Sequence, residues 1–430
     1  MTLLEATHRD ASKIYRSNSI AVMIEGALFS LIRLSISPYL VLPYYIQHLT
    51  KSPFLIGLIP VVFVIGFALP QIFMARIIQR SQNRIRLLIL SAVAQRICML
   101  GLLLLTIIQT RLPDSLTLGL FFLIYFLFNI ARGCYSPSYI DFLGRGISSH
   151  RGKIIGSGNF LGGILNLLGA LLLARLLTDL PYPQAITAIM AVSFTGSLIS
   201  LGAILCLKDV SKNEPVEVRP AAGRPHVAAE ASSNQAYQFP AFRTFLFWRA
   251  ILVGLEMMLS FYTLYGLEKF NLPASYVGIF AAILTIADAL GNPFWGWLGD
   301  RVGYLRVIVA STILGSAGAL LAAFSANLWL FSMIFLLNGL MLSGQVLGGM
   351  NIIYEYAASR NVSIYVAYEQ VMLSVLSSLA PVLGAGLIAK LGYSVSSLVA
   401  GSCGVLGVIG MQFYVRSPRL DLVGKKHKDS

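Results

Sequence analysis

Charge is scarce in this sequence: Asp, Glu, Lys and Arg make up 12% of its 430 residues, about half the share found in soluble domains. With 57% apolar residues and a mean hydropathy of +0.76, that scarcity excludes a water-soluble enzyme of this length. Cysteine is scarce too. Cys98, Cys134, Cys206 and Cys403 fall in apolar stretches without ligand-type spacing, which argues against a disulfide framework or a zinc site. The five histidines, His8, His48, His150, His226 and His427, occupy terminal, loop or interfacial stretches and form no metal spacing or triad. No G-x-x-x-x-G-K-[ST] phosphate loop is present, so the chain does not power itself with ATP. No enzyme site is visible, and no metal or cofactor is implied. The first 18 residues are polar and carry both signs of charge, with no signal-peptide cleavage pattern. The first apolar run is therefore expected to insert as a helix and stay.

What the sequence has in abundance is apolar runs. A bilayer crossing takes about 20 residues, and runs bounded by charge, Gly and Pro lie near 19–46, 53–75, 87–109, 116–142, 152–177 and 182–207. They resume near 244–267, 274–298, 305–326, 328–356, 362–389 and 393–415. The expected fold is an all-α polytopic membrane protein of about 12 transmembrane helices in two pseudo-symmetric six-helix bundles, 19–207 and 242–415. Residues 1–18 precede the first bundle. Between the two, 208–241 is rich in Pro, Ala, Ser and charge and reads as a flexible cytoplasmic linker; 416–430 is a basic tail.

The net charge of +14 is topological. Of 32 Lys and Arg, only Lys51, Arg111, Lys269 and Lys390 fall on the predicted outer loops, while Arg33, Arg96, Arg132, Arg175 and Arg249 lie in or at the edge of spans. The rest gather on inner segments, which predicts both termini in the cytoplasm and gives no reason to invoke nucleic acid. The halves also match each other. At one constant offset Gly57 aligns with Gly278, Phe73 with Phe294 and Arg80 with Arg301; at another, Phe126–Asn129 aligns with Phe335–Asn338. Such duplication places a transport site at a repeat interface.

Between the eighth and ninth spans stands Gly296-Trp297-Leu298-Gly299-Asp300-Arg301-Val302-Gly303-Tyr304-Leu305-Arg306. It resembles the G-x-L-[AG]-D-R-x-G-[RK]-[RK] loop of the major facilitator superfamily. In such a loop Gly296 is expected to permit close helix approach, Gly303 a tight reversal, and Asp300 to accept from helix amides or a basic side chain. The equivalent first-half loop, 75–86, carries Arg80, Arg84 and Arg86 but has Gln79 in place of the acidic residue. A cytoplasmic gate is then expected from Gly296, Gly299, Asp300, Arg301, Gly303, Arg306 and Arg80, with Asp141 answering the first-half arginines and Glu355 answering Arg301 or Arg306. Arg132-Gly133-Cys134-Tyr135-Ser136-Pro137 is similar to an Arg-containing pattern of proton-coupled members. Gly158-Asn159-Phe160-Leu161-Gly162-Gly163 resembles the G-P-x-x-G-G of exporters, with Asn for Pro. The resemblance implies a central cavity lined mainly by helices 1, 4, 7 and 10.

A charge at membrane depth is costly and is a functional candidate by default. Arg33, Arg96, Glu256 and Asp288 are expected near the midplane; Glu25, Arg132, Arg249 and Glu369 nearer the inner third. Glu25, Arg33, Arg132, Glu256, Asp288 and Glu369 are the candidates for proton coupling, with Glu25 or Glu256 as carrier and Arg132 as its partner; Arg96, on a helix peripheral in this architecture, is a lesser candidate. Asn129, Asn338, Tyr135 and Tyr262 are candidate substrate contacts. The expected function is secondary active transport of a small solute by alternating access, as proton-coupled export driven by the proton gradient. The alternatives are a proton symporter or facilitator importing a nutrient and, remotely, a non-transporting membrane sensor or interaction protein. The expected partners are the solute, protons and the bilayer of the cell membrane, with the chain a monomer.

Overall fold

The computed structural model describes residues 3–81, 83–147, 151–208, 240–357 and 362–415. Most of the predicted linker and the whole basic tail lie outside these. Among the described residues every regular element is helical. The chain divides into two compact units, Met1–Leu55 with Ile59–Arg219 and Pro273–Ala282, and Ile56–Leu58 with Pro220–Leu272 and Ile283–Ser430. Each is described by itself.

The first half comprises α1 (Leu3–Ser35), α2 (Val41–Gln47), α3 (Pro53–Arg80), α4 (Arg84–Ile108), α5 (Asp114–Gly146), α6 (Arg151–Asp179) and α7 (Gln184–Leu205). The expected span 19–46 is thus broken. The helix ends at Ser35 and restarts at Val41, because Pro38 lacks an amide proton and disfavours helical geometry before it. Turn bonds from the Ile36 amide to the Ile32 carbonyl and from the Leu42 amide to the Ser37 carbonyl occupy backbone groups in the gap, as a buried interruption requires. Helical structure also begins at Leu3, well inside the segment read as a polar lead-in.

In the second half, α8 (Pro240–Leu252) passes into a 3-10 segment, Val253–Met258, before α9 (Tyr262–Lys269). The seventh span is therefore interrupted in the place that corresponds to the break in the first. It is followed by α10 (Tyr276–Val302), α11 (Tyr304–Phe324), α12 (Leu328–Ala357) and α13 (Val362–Tyr414). The last contains two of the expected spans, separated by a bend at Gly392, whose φ of 76° is left-handed and suits a residue without Cβ.

The two halves pack by one scheme. In the first, α1 lies on α6 and α7, and α4 on α5 and α7; in the second, the α8 and 3-10 region lies on α13, and α11 on α12 and α13. Lipid tails are as apolar as leucine, so close packing and polar contacts must hold these helices together. At the α1–α6 crossing, Gly158 lies against the backbone of Met23 and Val22, and Gly162 against Gly26 and Ser30, while Ser30 Oγ donates to the Gly162 carbonyl at 2.7 Å. The exporter-like glycines therefore form a small-residue seam. Fully buried Asn18, in the middle of α1, ties the end of α5 and the segment just after α7 to that helix: its side-chain amide donates to the Gly146 and Lys208 carbonyls at 3.4 and 3.0 Å, and its carbonyl accepts from the Lys208 amide. Ile97, Ile140, Phe160, Leu290 and Phe413 lie mostly exposed, an arrangement suited to hydrocarbon.

Candidate functional site

The first unit holds two distinct polar constellations at depth. In one, α1 carries Glu25, 4% exposed. Tyr135 of α5 donates its hydroxyl to Glu25 Oε1 at 2.8 Å, and Tyr139, one turn on, directs its hydroxyl to the same carboxylate. The two rings stack at 5.4 Å, a consequence of their i, i+4 spacing. Arg96 of α4 lies 5.8 Å from the Tyr135 ring centroid and acts electrostatically on Glu25. Its guanidinium donates to Gln95 Oε1 at 2.8 Å, Ser200 Oγ at 3.0 Å and the Ser197 carbonyl at 3.3 Å. It is thereby fixed by neutral acceptors, two of them on α7, and not by the carboxylate. The expected partnership of Glu25 with Arg132 is thus corrected: Arg96, read as peripheral, supplies the nearby cation.

Arg132 stands in the second constellation. Its guanidinium carbon lies 5.7 Å from the ring centroid of Phe29, 5.1 Å from that of Phe63 and 5.0 Å from that of Phe67. Arg33, in the last turn of α1 where the helix dipole favours a cation, acts on it as a like charge.

The second unit gathers its own charges. Arg249 of α8 and Glu369 of α13 pair at 3.7 Å with side-chain exposures of 11% and 5%. Arg249 also donates to Gln345 Oε1 of α12, and the Gln345 amide nitrogen reaches Ser311 and Thr312 of α11, each at 2.9 Å. Glu256, in the 3-10 segment, is within electrostatic reach of Arg249 and has the Ser377 side chain nearby. Two of the expected acidic candidates therefore converge on one arginine. Asp288 sits half-buried on α10, its backbone facing Gly339 of α12.

Asn129 is fully buried; its amide donates to the Tyr125 carbonyl at 2.8 Å, and it packs against Gly66 in the α3–α5 seam. Asn338 and Tyr262 are likewise buried within the second unit.

At the predicted gate, Asp141 of α5 pairs with Arg84 at 3.2 Å and with Arg145 at 2.7 Å. Arg80 is exposed and forms no ion pair among the described residues. In the second-half loop, Gly303 takes φ 92°, the reversal expected of it. Gly299 leaves room for the Tyr304 ring, which any Cβ there would strike. Gly296 meets nothing within 4 Å at the position of a Cβ, so the close helix approach expected of it is not found there, and Gly299 instead accommodates a side chain from the next helix. Asp300 accepts from the Tyr304 hydroxyl at 2.8 Å, Glu355 accepts from the Tyr304 amide at 3.3 Å at the start of α11, Arg301 lies 4.4 Å from the Trp297 ring centroid, and Arg306 is exposed. Glu355 thus caps the helix that the loop opens.

The profile of the Major Facilitator Superfamily matches residues 20–273 and 250–429. The chain belongs to the major facilitator superfamily. Among solved superfamily structures, the nucleoside transporter NupG superposes with a TM-score of 0.67 at 13% identity, covering 93% of this chain and 98% of that one. A D-xylose-proton symporter gives a TM-score of 0.67 at 15% identity, covering 94% and 98%. The human (Homo sapiens) MFS-type transporter SLC18B1 is 25% identical over 173 residues, 35% of this chain and 37% of the relative, so that match spans just over a third of its length. Family membership and the helical fold make the chain a multi-pass membrane protein of that superfamily.

Proposed function

We propose that this superfamily member is a proton-coupled secondary transporter that exports a small organic solute by alternating access. In this reading it acts as a monomer in the cytoplasmic membrane, with both termini inside, the proton gradient as its energy source, and no cofactor or catalytic step. The observation that carries the coupling is Glu25, buried on the first helix, hydrogen-bonded by Tyr135 and faced by Arg96. Burial opposes the charged carboxylate, while a phenol donor and a nearby guanidinium favour it. Opposed influences of this kind let a change in packing or hydration move a proton on or off the group, and that change of charge biases one conformation over another. The D-xylose-proton symporter that shares the fold is by its name a coupled protein, which supports coupling on this architecture. Glu256, near Arg249, is the second candidate carrier. The outward direction is favoured by the resemblance of Gly158–Gly163 to the exporter pattern.

The test uses everted vesicles whose lumen is acidified by respiration, challenged with cationic drugs, sugars and carboxylates. A transported solute should enter the lumen and drive protons out, and Glu25→Gln should abolish proton release while leaving solute binding in place. Release that survives in Glu25→Gln would remove Glu25 from the role. Solute flux that is equal with and without the gradient would remove coupling altogether.

A further inference from the structure

The Arg132 constellation plays no part in the proton-carrying cluster and has the make-up of a ligand site. Arg132 is half-buried, yet among the described residues its guanidinium has no ion pair and no hydrogen bond. Exposed Arg33 lies within electrostatic reach and also lacks an ion pair among the described residues. Two cations held near one another without an acid are mutually unfavourable, and even a half-buried cation without a counter-ion gives up part of its hydration unrepaid. Phe29, Phe63 and Phe67 face Arg132 with their rings, and all three remain partly accessible. Tyr125, fully buried and within electrostatic reach of Arg132, has Asn129 within reach of its hydroxyl but makes no hydrogen bond of normal geometry to it. The set is therefore short of negative charge and of an acceptor, and long on aromatic surface.

We propose that this set is the binding site for an organic anion bearing an aromatic or otherwise flat apolar body. The carboxylate or comparable anionic group lies against Arg132, with Arg33 as the second cation, and the Tyr125 hydroxyl supplies a neutral donor. The guanidinium fork suits a planar bidentate acceptor, and the phenylalanine rings cover the body of the solute. The class of solute also agrees with direction. A membrane potential negative inside drives an anion outward and a proton inward, so exchange of the two is favoured in the sense of export. The inference rests on the transporter reading for its physiological meaning, but binding tests it separately.

The experiment measures direct binding of radiolabelled 2-naphthoate, 2-naphthylmethylamine and 2-naphthylmethanol to the purified full chain in detergent, beside proteoliposome flux of the same three compounds. The expected result is saturable binding of the naphthoate, at least tenfold weaker binding of the alcohol, and none of the amine. Arg132→Gln should weaken naphthoate binding tenfold or more, Arg33→Gln severalfold, and Arg132→Lys should retain part of it. Arg175→Gln, which alters an exposed pair with Asp179, should leave it unchanged. Should Arg132→Gln fail to fold, Phe63→Leu and Arg132→Lys keep the test decisive, because each must weaken naphthoate binding. Equal or tighter binding of the amine, naphthoate binding indifferent to Arg132 and Phe63, or no binding of the naphthoate would overturn the proposal. Naphthoate binding without flux would uphold the site and count against transport; flux of the amine alone would do the reverse.

Discussion

The Arg249–Glu369 pair offers a clean measurement of what buried charge contributes to the second unit. At 3.7 Å, two unit charges in an effective dielectric near 20 attract by about 4 to 5 kcal/mol before desolvation. Glu369→Leu removes the paired carboxylate and leaves the buried guanidinium only Glu256 within electrostatic reach, while Arg249→Met leaves the Glu369 and Glu256 carboxylates without their cation and also removes the donor to Gln345. Breaking a buried pair from one side costs about 3–5 kcal/mol, whereas replacing both charges with apolar groups of similar volume is often neutral. With roughly 2–4 °C of midpoint per kcal/mol for a unit of this size, each single variant should lower the apparent melting temperature in detergent by roughly 6–20 °C. The double variant should recover most of that loss. The assay is a thermal shift followed by size-exclusion chromatography on the wild type, both singles and the double. If the two losses simply add, the charges are not coupled, and the contact is incidental to stability.

Two further outcomes follow from the loop and the topology. Gly303→Ala places a Cβ on a residue at φ 92° and ψ 152°, a region that is essentially glycine's alone, at a cost of about 1–3 kcal/mol; the same thermal assay should show a loss there that Gly296→Ala, which meets open space, does not. With the termini inside, Thr50→Cys should react with a membrane-impermeant maleimide on intact cells, and Ser81→Cys only after permeabilisation; the opposite pattern would invert the assignment.

The spans are legible because a crossing helix must be apolar for its whole length, and flanking arginines such as Arg76 and Arg80 mark where it ends. The interruptions were less so. Residues 36–46 remain apolar through the break after Ser35, so hydropathy runs straight across it, and only Pro38 gives a local sign. The repeat was legible in motif alignment, and its structural counterpart is the shared packing scheme and the matching breaks in the first and seventh spans. Charge positions could be found, but not their pairings. Whether Glu25 meets Arg96 or Arg132 depends on how helices are rotated about their axes, and spacing within one helix does not determine that. Arg96 was undervalued because its acceptors, Ser197 and Ser200, are ordinary small residues on a distant segment. Arg132 is expected to partner a carboxylate because both lie on helices that the family resemblance makes cavity-lining; its actual neighbours are phenylalanines, whose ring faces attract cations but carry no charge pattern in the sequence.

The most direct measurement is proton movement in proteoliposomes containing only the purified chain, with a pH dye in the lumen and a transported solute added outside to protein oriented with its cytoplasmic face outward. The account predicts that solute entry is accompanied by lumenal alkalinisation, dependent on the protein and absent in Glu25→Gln. Solute entry at the wild-type rate with no change in lumenal pH would contradict it.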